Sequence, residues 1–502
     1  MSHSNLDEPA NKHSKLSDET EESQPQIDSL LILNNDCLHA VFEHLNIESL
    51  CNVANVCKRF RPITEQVFRC CHTSVHFSKY NTKISVLRRA LYKFGHLITD
   101  FSCISRYDYN HFDAVIKFCS NNLEKLSLYN AEITSEGLET LMPRLKYLKL
   151  YECRFDYHLY SHDLSGVFSN CPELEVLIFD MLDEDGDEKC TFLKRHFPKL
   201  KQLEFECVKV NPDDLREILG LNPQLKRLHT MTFTNDEFID AIAEYTKDLE
   251  VLEISGGRGY VKQRDQSAEG LLRLGALKKL KKLFLNISSY KKYRVHRLAN
   301  EFSKKNIPIE TLELTACSII SKDFISLTNL KTLQRVYLAK VERATDADLI
   351  TLATELPLLS NLTLSFEYTK EIKITANGLA SMIELGKRLK YIGFNGFHQV
   401  QLNEAAYELW LKLARSSGRE ETLVIKMDKY GETSFIVPSH ILQENEAQLK
   451  IICGRDVSPW SAEKADVQLD SDSDSDLNWY SDSDAESEPD SESSSESESA
   501  TE

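Results

Sequence analysis

One row of apolar residues recurs along most of this chain, and its spacing constrains the fold more than any other feature. The row has apolar residues at its first, fourth and sixth positions, as in Leu123-x-x-Leu126-x-Leu128. Successive side chains of a strand point to opposite faces, so positions four and six share one face, while positions three, five and seven share the other. Repetition of such a row predicts stacked units that bury one continuous core.

The rows recur at intervals of 22 to 31 residues, close to the roughly 20–29 residues typical of leucine-rich repeats. Their first positions are Ile98, Leu123, Leu145, Leu174, Leu200, Leu225, Leu249, Leu280, Ile309, Leu333, Leu359 and Leu389. Weaker rows flank this set and fit the atypical repeats that cap a solenoid. These weaker rows are Val75-x-Phe77, Leu423-x-Ile425 and Leu449-x-Ile451.

The segments between rows carry apolar residues at helical spacing. Segments 84–91 and 404–415 are clear cases of one apolar helix face. Each unit therefore consists of a strand, a turn, a helix and a segment that leads to the next strand. This order predicts an α/β solenoid with parallel strands on the concave side and helices on the convex side. Such a stack presents an extended surface, and surfaces of this kind usually bind proteins. Cys153, Cys207 and Cys317 each follow a row shortly after its end, where we expect a buried thiol that hydrogen-bonds inside the turn.

The net charge of −18 comes from the two ends of the chain. Residues 466–502 contain 14 acidic residues and no Lys or Arg, and residues 1–26 contribute −4. Residues 27–465 are therefore neutral overall. A neutral body gives no support for a broad nucleic-acid-binding face, which needs an excess of basic residues.

The two ends are also expected to be disordered. Residues 457–502 consist largely of Ser, Asp and Glu, so they cannot bury enough apolar surface to fold, and residues 1–26 are similarly polar. Several serines of the acidic tail have an acidic residue three positions on, the pattern that acidophilic kinases of the casein kinase II type accept. Each phosphate would add about −1.5 to −2 charges. The candidates are Ser471, Ser473, Ser481, Ser483 and Ser487.

The sequence argues against several other classes of protein. No stretch approaches the roughly 20 apolar residues of a membrane helix, and the polar start of the chain does not resemble a signal peptide. The 13 cysteines are scattered without paired metal-ligand spacing, which indicates a reducing compartment, the cytoplasm or the nucleus. We find no phosphate-binding loop, no nucleophile elbow and no metal motif, so we expect no catalytic site, cofactor or metal.

Residues 27–71 lack the row pattern and predict three short helices. The segment 38–45 carries the apolar stripe of the first helix. Asn46 fits the N-cap of the second, and the third begins within the segment 56–60, with Pro62 near its start. A module of this size is marginally stable alone, so we expect it either to cap the solenoid or to dock onto another protein.

The residues of this module resemble an F-box. The most specific part is Asn55-Val-Cys-Lys-Arg-Phe60, which matches the family's Val-Cys-(Arg/Lys)-x-(Trp/Phe) pattern. Asn34 departs from the family, which usually has Pro there, and Phe68 stands where Trp is common. Loss of the Pro removes a pre-set turn, which we expect to weaken docking without abolishing it.

By this resemblance, the F-box inserts an apolar face into the Skp adaptor of a ubiquitin ligase. Some of the matching residues must instead hold the three helices together, and we expect Val56 and Phe60 to be partly internal. The residues carried over as adaptor contacts are Leu33, Asn34, Leu38, Val41, Phe42, Leu45, Leu50, Val56 and Phe60.

An F-box followed by leucine-rich repeats implies a substrate-recognition subunit of a Skp–cullin–F-box ubiquitin ligase. Its partners would be the Skp adaptor, the cullin scaffold and a protein substrate, and ubiquitin chemistry would occur on other subunits. One alternative is a nuclear leucine-rich-repeat protein whose acidic tail binds basic partners such as histones, and another is a scaffold that needs neither end. The predicted organisation is a tail (1–26), an F-box (27–71), a solenoid with weak caps (72–456) and an acidic tail (457–502).

Row positions three, five and seven are expected to face the concave side, where a substrate would bind. Tyr and Arg are the residue types that most often carry interface energy, so we single out one group in the early rows and one in the later rows. An ordinary solvated sheet face is the alternative for either group. The two groups are Tyr129, Lys149 and Tyr151, and Lys282, Phe284, Arg335 and Tyr337.

Overall fold

The structure is a computed structural model of the chain. It describes residues 29–78, 83–104, 109–155, 166–180, 191–206, 210–231, 235–255, 269–286, 295–315, 318–366, 373–395, 404–419, 421–427 and 448–453. The predicted tails, 1–26 and 457–502, lie outside these segments, and so do the five candidate phosphorylation serines. Within the described segments, no helix combines the length and the apolar character needed to cross a membrane.

Four helices precede the first strand: α1 (Ser29–Ile32), α2 (Asn35–Phe42), α3 (Ile47–Val53) and α4 (Phe60–Cys71). The three longer helices correspond to the three predicted ones, and the short α1 is an addition. Pro62 lies in the first turn of α4, where its missing N–H removes no helical hydrogen bond.

Asparagine side chains begin two of these helices. Asn34 Oδ1 accepts a hydrogen bond from the Cys37 N–H at 2.8 Å, and Asn46 Oδ1 accepts one from the Ser49 N–H at 2.9 Å. Such caps satisfy backbone donors that have no partner inside the helix. The φ angle of Asn34 is −69°, a value that proline also adopts. Asn34 therefore starts α2 by a hydrogen bond where a proline would do so by its rigid ring.

The N-terminal helices share a core with the strands that follow. Phe68 of α4 is fully buried and stacks on Phe94 of the next helix, α5 (Ile84–Phe94), with ring centroids 4.5 Å apart. At the surface of the same contact, Arg89 of α5 pairs with Glu48 of α3 at 3.3 Å. One hydrophobic cluster contains the buried residues of both parts, so the module and the solenoid are packed as one body.

The strands form a parallel sheet whose order follows the chain. Fifteen strands of the described segments belong to it, whereas β4 and β6 pair only with each other. The strands are β1 (Ser74–Ser78), β2 (Asp100–Ile104), β3 (Lys125–Tyr129), β4 (Glu132–Ile133), β5 (Tyr147–Tyr151), β6 (Arg154–Phe155), β7 (Val176–Asp180), β8 (Gln202–Glu206), β9 (Arg227–Met231), β10 (Val251–Ser255), β11 (Lys282–Asn286), β12 (Thr311–Leu314), β13 (Arg335–Val341), β14 (Asn361–Phe366), β15 (Tyr391–Asn395), β16 (Leu423–Met427) and β17 (Leu449–Cys453).

Equivalent row positions lie opposite each other on neighbouring strands. Leu126 faces Leu148 across β3 and β5, and Leu252 faces Leu283 across β10 and β11. All four side chains are fully buried, and burial of each contributes roughly 1.5–3 kcal/mol. The predicted α/β solenoid is confirmed, and its weak outer rows are the strands β1, β16 and β17.

Helices and short 3-10 turns connect the strands and pack against one another. Helices in the predicted segments 84–91 and 404–415 are confirmed as α5 and α14 (Glu404–Ser416). The 3-10 turns are Gly95–Leu97, Val167–Ser169, Thr191–Leu193 and Gly270–Ala276. The helices after α5 are α6 (Tyr109–Cys119), α7 (Ser135–Leu141), α8 (Pro212–Leu221), α9 (Asp236–Tyr245), α10 (Val295–Lys304), α11 (Ser321–Leu327), α12 (Asp346–Glu355), α13 (Ala376–Leu385) and α14 (Glu404–Ser416).

Cys153 lies buried in the turn after β5. Its thiol donates to the carbonyl oxygen of Leu128 at 3.3 Å, and burial raises the pKa of the thiol to about 12. The predicted hydrogen bond inside the turn is therefore confirmed for this cysteine. Cys207 and Cys317, for which the same role was predicted, lie outside the described residues.

Charged residues at the second row position form a ladder of ion pairs between repeats. Glu250 lies 3.6 Å from Lys226 in the preceding row and 2.8 Å from Lys281 in the following row. Glu124 and Lys146 make the equivalent contact at 2.8 Å. Each exposed pair contributes only about 0–1 kcal/mol. These pairs therefore add little to the stability of the stack compared with the buried leucines.

Candidate functional site

The four N-terminal helices expose an unusual share of large aliphatic side chains. Ile32 and Val56 are 70% and 67% exposed, and Leu30, Leu31 and Val41 are 43–48% exposed. They lie on α1, on α2 and in the turn that follows α3. The remaining exposed large hydrophobic residues of the described chain are distributed over four solenoid helices: Ile84, Tyr92, Ile325, Leu385 and Leu409. Concentration of five such side chains in one small module marks it as an interaction site.

Arg59 connects α1 to the start of α4. Its guanidinium donates to the carbonyl oxygen of Leu31 at 2.9 Å and to that of Leu33 at 2.5 Å. It also donates to the side-chain oxygen of Asn35 at 3.0 Å. One side chain therefore holds both α1 and the residues that join it to α2.

On the strands, row positions three, five and seven form the outward face of the sheet, opposite the buried leucines. Tyr129 and Tyr151 lie opposite each other on this face, with ring centroids 5.9 Å apart. Lys149 Nζ lies 4.8 Å from the centroid of the Tyr129 ring, a cation–π distance. The structure therefore brings the predicted early group together. Tyr147 adjoins it, and burial, with the nearby charges of Tyr129 and Glu204, raises the pKa of Tyr147.

The predicted later group is not contiguous. Phe284 lies opposite Glu313, which in turn lies opposite Tyr337, so the strand β12 separates the two aromatic residues. Lys282 and Arg335 are separated by Thr311 of the same strand. The four residues therefore do not form one group, and the prediction is wrong in this respect. It rested on residue types and did not take account of β12, which lies between β11 and β13. A partner at this place would meet the Glu313 carboxylate between the two rings.

A charge network occupies the middle of the outward face. Glu204 of β8 pairs with Arg227 at 3.1 Å and lies 3.8 Å from His229, both on β9. His229 lies 3.7 Å from Glu253 of β10. Burial acts to raise the pKa of Glu204, but the hydrogen bond and charge of His229 and the charge of Arg227 outweigh it and hold the pKa at about 2. No group of His, Cys, Asp or Glu in the described segments, this network included, is arranged to hold a metal ion.

The identity of the N-terminal helices follows from comparison with known proteins, because residues 30–72 match the F-box domain family. This segment is an F-box domain. The row pattern and the parallel sheet behind it make the chain an F-box protein with leucine-rich repeats. Among relatives, GRR1-like protein 1 of Arabidopsis thaliana is 30% identical over 163 residues, which are 31% of this chain and 27% of that protein.

Among solved structures, the crystal structure of the Rad7 and Elc1 complex in yeast resembles the chain at a TM-score of 0.40 and 16% identity. The likeness covers 74% of this chain and 90% of that chain.

The F-box domain buries four of the nine residues that were predicted to contact an adaptor. Leu38, Phe42, Leu50 and Phe60 are 0–4% exposed. The rings of Phe42 and Phe60 meet edge to face, with centroids 5.2 Å apart. A side chain without exposed surface has no area to offer a partner in this conformation. The prediction for these four residues is therefore corrected, and they hold the helices of the domain together.

The other five predicted residues reach the surface to different extents. Leu33 and Leu45 are half-buried, Asn34 is exposed as the cap of α2, and Val41 is exposed on the same helix. Val56 was expected to be partly internal, but it is well exposed because it lies in a turn rather than on a helix. The internal position expected for Phe60 is confirmed.

Three exposed aliphatic residues of the F-box domain were missed by sequence reasoning. They are Leu30, Leu31 and Ile32 on α1, directly before the Asn34 cap. The signal was present as an uninterrupted apolar run, Leu30-Leu-Ile-Leu33. Four apolar residues in succession cannot all face inward on a short helix, so such a run predicts an exposed apolar edge.

Proposed function

We propose that the chain is the substrate-recognition subunit of a Skp–cullin–F-box ubiquitin ligase. The F-box domain docks onto the Skp adaptor, which links it to the cullin scaffold, and the outward face of the sheet binds a protein substrate. The observation that carries the proposal is the set of five exposed aliphatic residues on a domain whose core is already closed. Exposure of this apolar area to water is unfavourable, and a partner that covers it removes that free-energy cost.

The division of the F-box domain into buried and exposed residues supports docking as a rigid surface. Phe42 and Phe60 pack against each other in the core of the domain. Helix α4 packs on the first solenoid helix through Phe68. The adaptor would therefore meet a preformed surface that includes Ile32, Val41 and Val56. A preformed surface loses little conformational entropy on binding.

Substrate binding is proposed for the early part of the outward face. The cluster of Tyr129, Lys149 and Tyr151 combines two aromatic rings with one cation in a small area, a composition that is typical of interface hot spots. Residues 27–465 have no net charge, so recognition would depend on such local contacts rather than on long-range attraction.

The ubiquitin-transfer chemistry is proposed to lie on other subunits, with the chain itself acting without a catalytic site or cofactor. The cytoplasm and the nucleus are the compartments in which we propose that it acts. A nuclear role that rests on the acidic tail would require residues 466–502 but not the exposed F-box residues, and this difference separates the two functions by experiment.

The test is co-purification of the full chain with the Skp adaptor. We expect Val41→Lys and Val56→Lys each to weaken adaptor binding about tenfold or more, because each removes apolar contact area and places a charge in the interface. Ile325→Lys is the matched control, because Ile325 is also an exposed aliphatic residue, at 59%, but lies on α11. Phe42 is unsuitable as a probe, since its loss would open the core.

The proposal fails if the wild-type chain does not retain the adaptor. It also fails if Val41→Lys and Val56→Lys bind as well as Ile325→Lys does. Circular dichroism of each variant shows that weakened binding does not come from unfolding.

A further inference from the structure

Helix α1 presents three of the five exposed aliphatic residues, yet it is only four residues long. A helix of this length does not persist alone, because nucleation fixes several residues for very few hydrogen bonds. Contacts from elsewhere in the chain must therefore hold α1 in place.

The Arg59 guanidinium supplies such contacts. It donates to the carbonyl oxygens of Leu31 and Leu33, which lie at the end of α1 and just beyond it, where a short helix leaves its carbonyl groups without intrahelical donors. Its Nε–H donates to Asn35 at the start of α2. Arg presents its donors in a rigid planar fork and remains charged at all physiological pH values, so one side chain can serve three acceptors.

The backbone that carries Arg59 is itself fixed. Arg59 directly precedes α4, and its neighbour Phe60 is buried against Phe42 in the core of the F-box domain. Movement of Arg59 away from α1 would therefore require its long side chain to swing out or the core to open. The position of α1 is tied through this residue to the buried core of the domain.

We propose that Arg59 is a positioning residue for adaptor docking, which holds α1 so that Leu30, Leu31 and Ile32 are presented to the adaptor. The inference rests on the proposed function, since it assigns α1 to the adaptor interface. Loss of Arg59 reduces the fraction of molecules in which α1 is in place. The apparent Kd for the adaptor then rises by the inverse of that fraction.

The experiment measures the affinity of the full chain for the Skp adaptor in Arg59→Met, Arg59→Lys and Lys58→Met. Arg59→Met keeps an unbranched stem and removes the fork and its charge, and we expect it to raise the Kd about tenfold. Arg59→Lys keeps the charge but not the fork, so its Kd should fall between those of Arg59→Met and the wild type. Lys58→Met makes the same charge change at the adjacent exposed residue and should leave the Kd unchanged.

A double-mutant cycle separates positioning from a general loss of stability. In a chain that already carries Leu31→Ala and Ile32→Ala, the adaptor has little to gain from an ordered α1. Arg59→Met should then weaken binding no further. A tenfold loss in both backgrounds would show that Arg59 acts elsewhere, and wild-type affinity of Arg59→Met would also overturn the inference.

Amide hydrogen exchange keeps this result distinct from failure of the proposed function. If the wild-type chain does not bind the adaptor, the proposed function is wrong and so is the docking role of Arg59. Where the wild-type chain binds, we expect Arg59→Met to accelerate exchange in residues 29–35, and Lys58→Met to leave it unchanged. Unchanged exchange in Arg59→Met would contradict the positioning of α1 by Arg59.

Discussion

Phe68→Ala removes one half of the aromatic stack at which the F-box domain joins the solenoid. Phe68 has no exposed surface, and its ring lies nearly parallel to that of Phe94, with an interplanar angle of 17°. Truncation of a buried Phe to Ala costs about 3–5 kcal/mol, of which the stacked pair accounts for about 0.5–1.5 kcal/mol. Phe68→Leu retains most of the apolar volume and should cost about 1.5 kcal/mol.

The destabilisation is expected on both sides of the joint, because the two rings belong to helices of different parts of the chain. Repeat arrays open locally rather than as a whole, so hydrogen exchange of the full chain followed by mass spectrometry is the suitable assay. We expect exchange to accelerate in α3 and α4 of the F-box domain and also in α5 of the solenoid. A loss of 3–5 kcal/mol corresponds to an increase of about 10²- to 4 × 10³-fold in the local opening constant.

Tyr92→Ala is the control for this prediction. Tyr92 is also an aromatic residue of α5, but it is 72% exposed and contacts Phe118 in a T-shaped arrangement, with centroids 5.6 Å apart. Its loss should change stability by no more than about 0.5 kcal/mol. The reasoning is refuted if Phe68→Ala accelerates exchange in α4 alone and leaves α5 as in the wild type, since the two parts would then fold separately.

Three further predictions follow from the polar contacts. The Glu204 pKa of about 2, against an ordinary value of 4.5, means that ionised Glu204 stabilises the fold above about pH 4.5 and that this contribution is lost as the pH falls towards 2. Glu204→Gln should flatten the acid-side decline of the melting temperature in that window. Glu250→Lys replaces two attractive contacts with two repulsive ones and should cost about 1–2 kcal/mol in urea unfolding at low salt; a cost that does not shrink at high salt would contradict this. Asn34→Ala should lower stability by about 1 kcal/mol at the start of α2. Asn34→Pro should lower it less, because the φ angle of Asn34 is compatible with proline. If both variants accelerated hydrogen exchange in α2 equally, this expected difference would be contradicted.

The strands were predictable from sequence because their pattern has a strict physical cause. A residue such as Leu148 must pack between identical positions of two neighbouring rows, so its spacing tolerates little variation. The turns between rows obey no such constraint. The pair β4 and β6 has two residues in each strand and no row of its own. The segment Gly270–Ala276 forms 3-10 turns where helical spacing alone does not distinguish them from an α-helix.

The exposed aliphatic surface of the F-box domain was less predictable than the fold, because a stripe of apolar residues on a short helix is wider than the face that becomes buried. Val41 and Phe42 are adjacent in such a stripe, yet Phe42 is 2% exposed and Val41 is 43% exposed. Helical periodicity also gives no guidance for Val56, which lies in a turn. The division between core and interface residues depends on how α2 meets α4, and that contact is not local in sequence.

The joint between F-box domain and solenoid has a consequence for the proposed function. Helix α4 ends at Cys71 and β1 begins at Ser74, so the two parts are joined by a stiff contact rather than a linker. A flexible linker would spread a bound substrate over a large volume, whereas a stiff joint concentrates it in one region. With strands about 4.8 Å apart, a substrate on β3 and β5 would lie about 10–15 Å along the sheet from β1, and one on β11 to β13 about 40–50 Å along it. The site of substrate binding on the outward face would therefore decide which of the substrate's lysines come near the rest of the ligase. A substrate that is bound by the late rows instead of the early rows should therefore be ubiquitinated on different lysines. We expect this change even where the two sites bind the substrate with equal affinity.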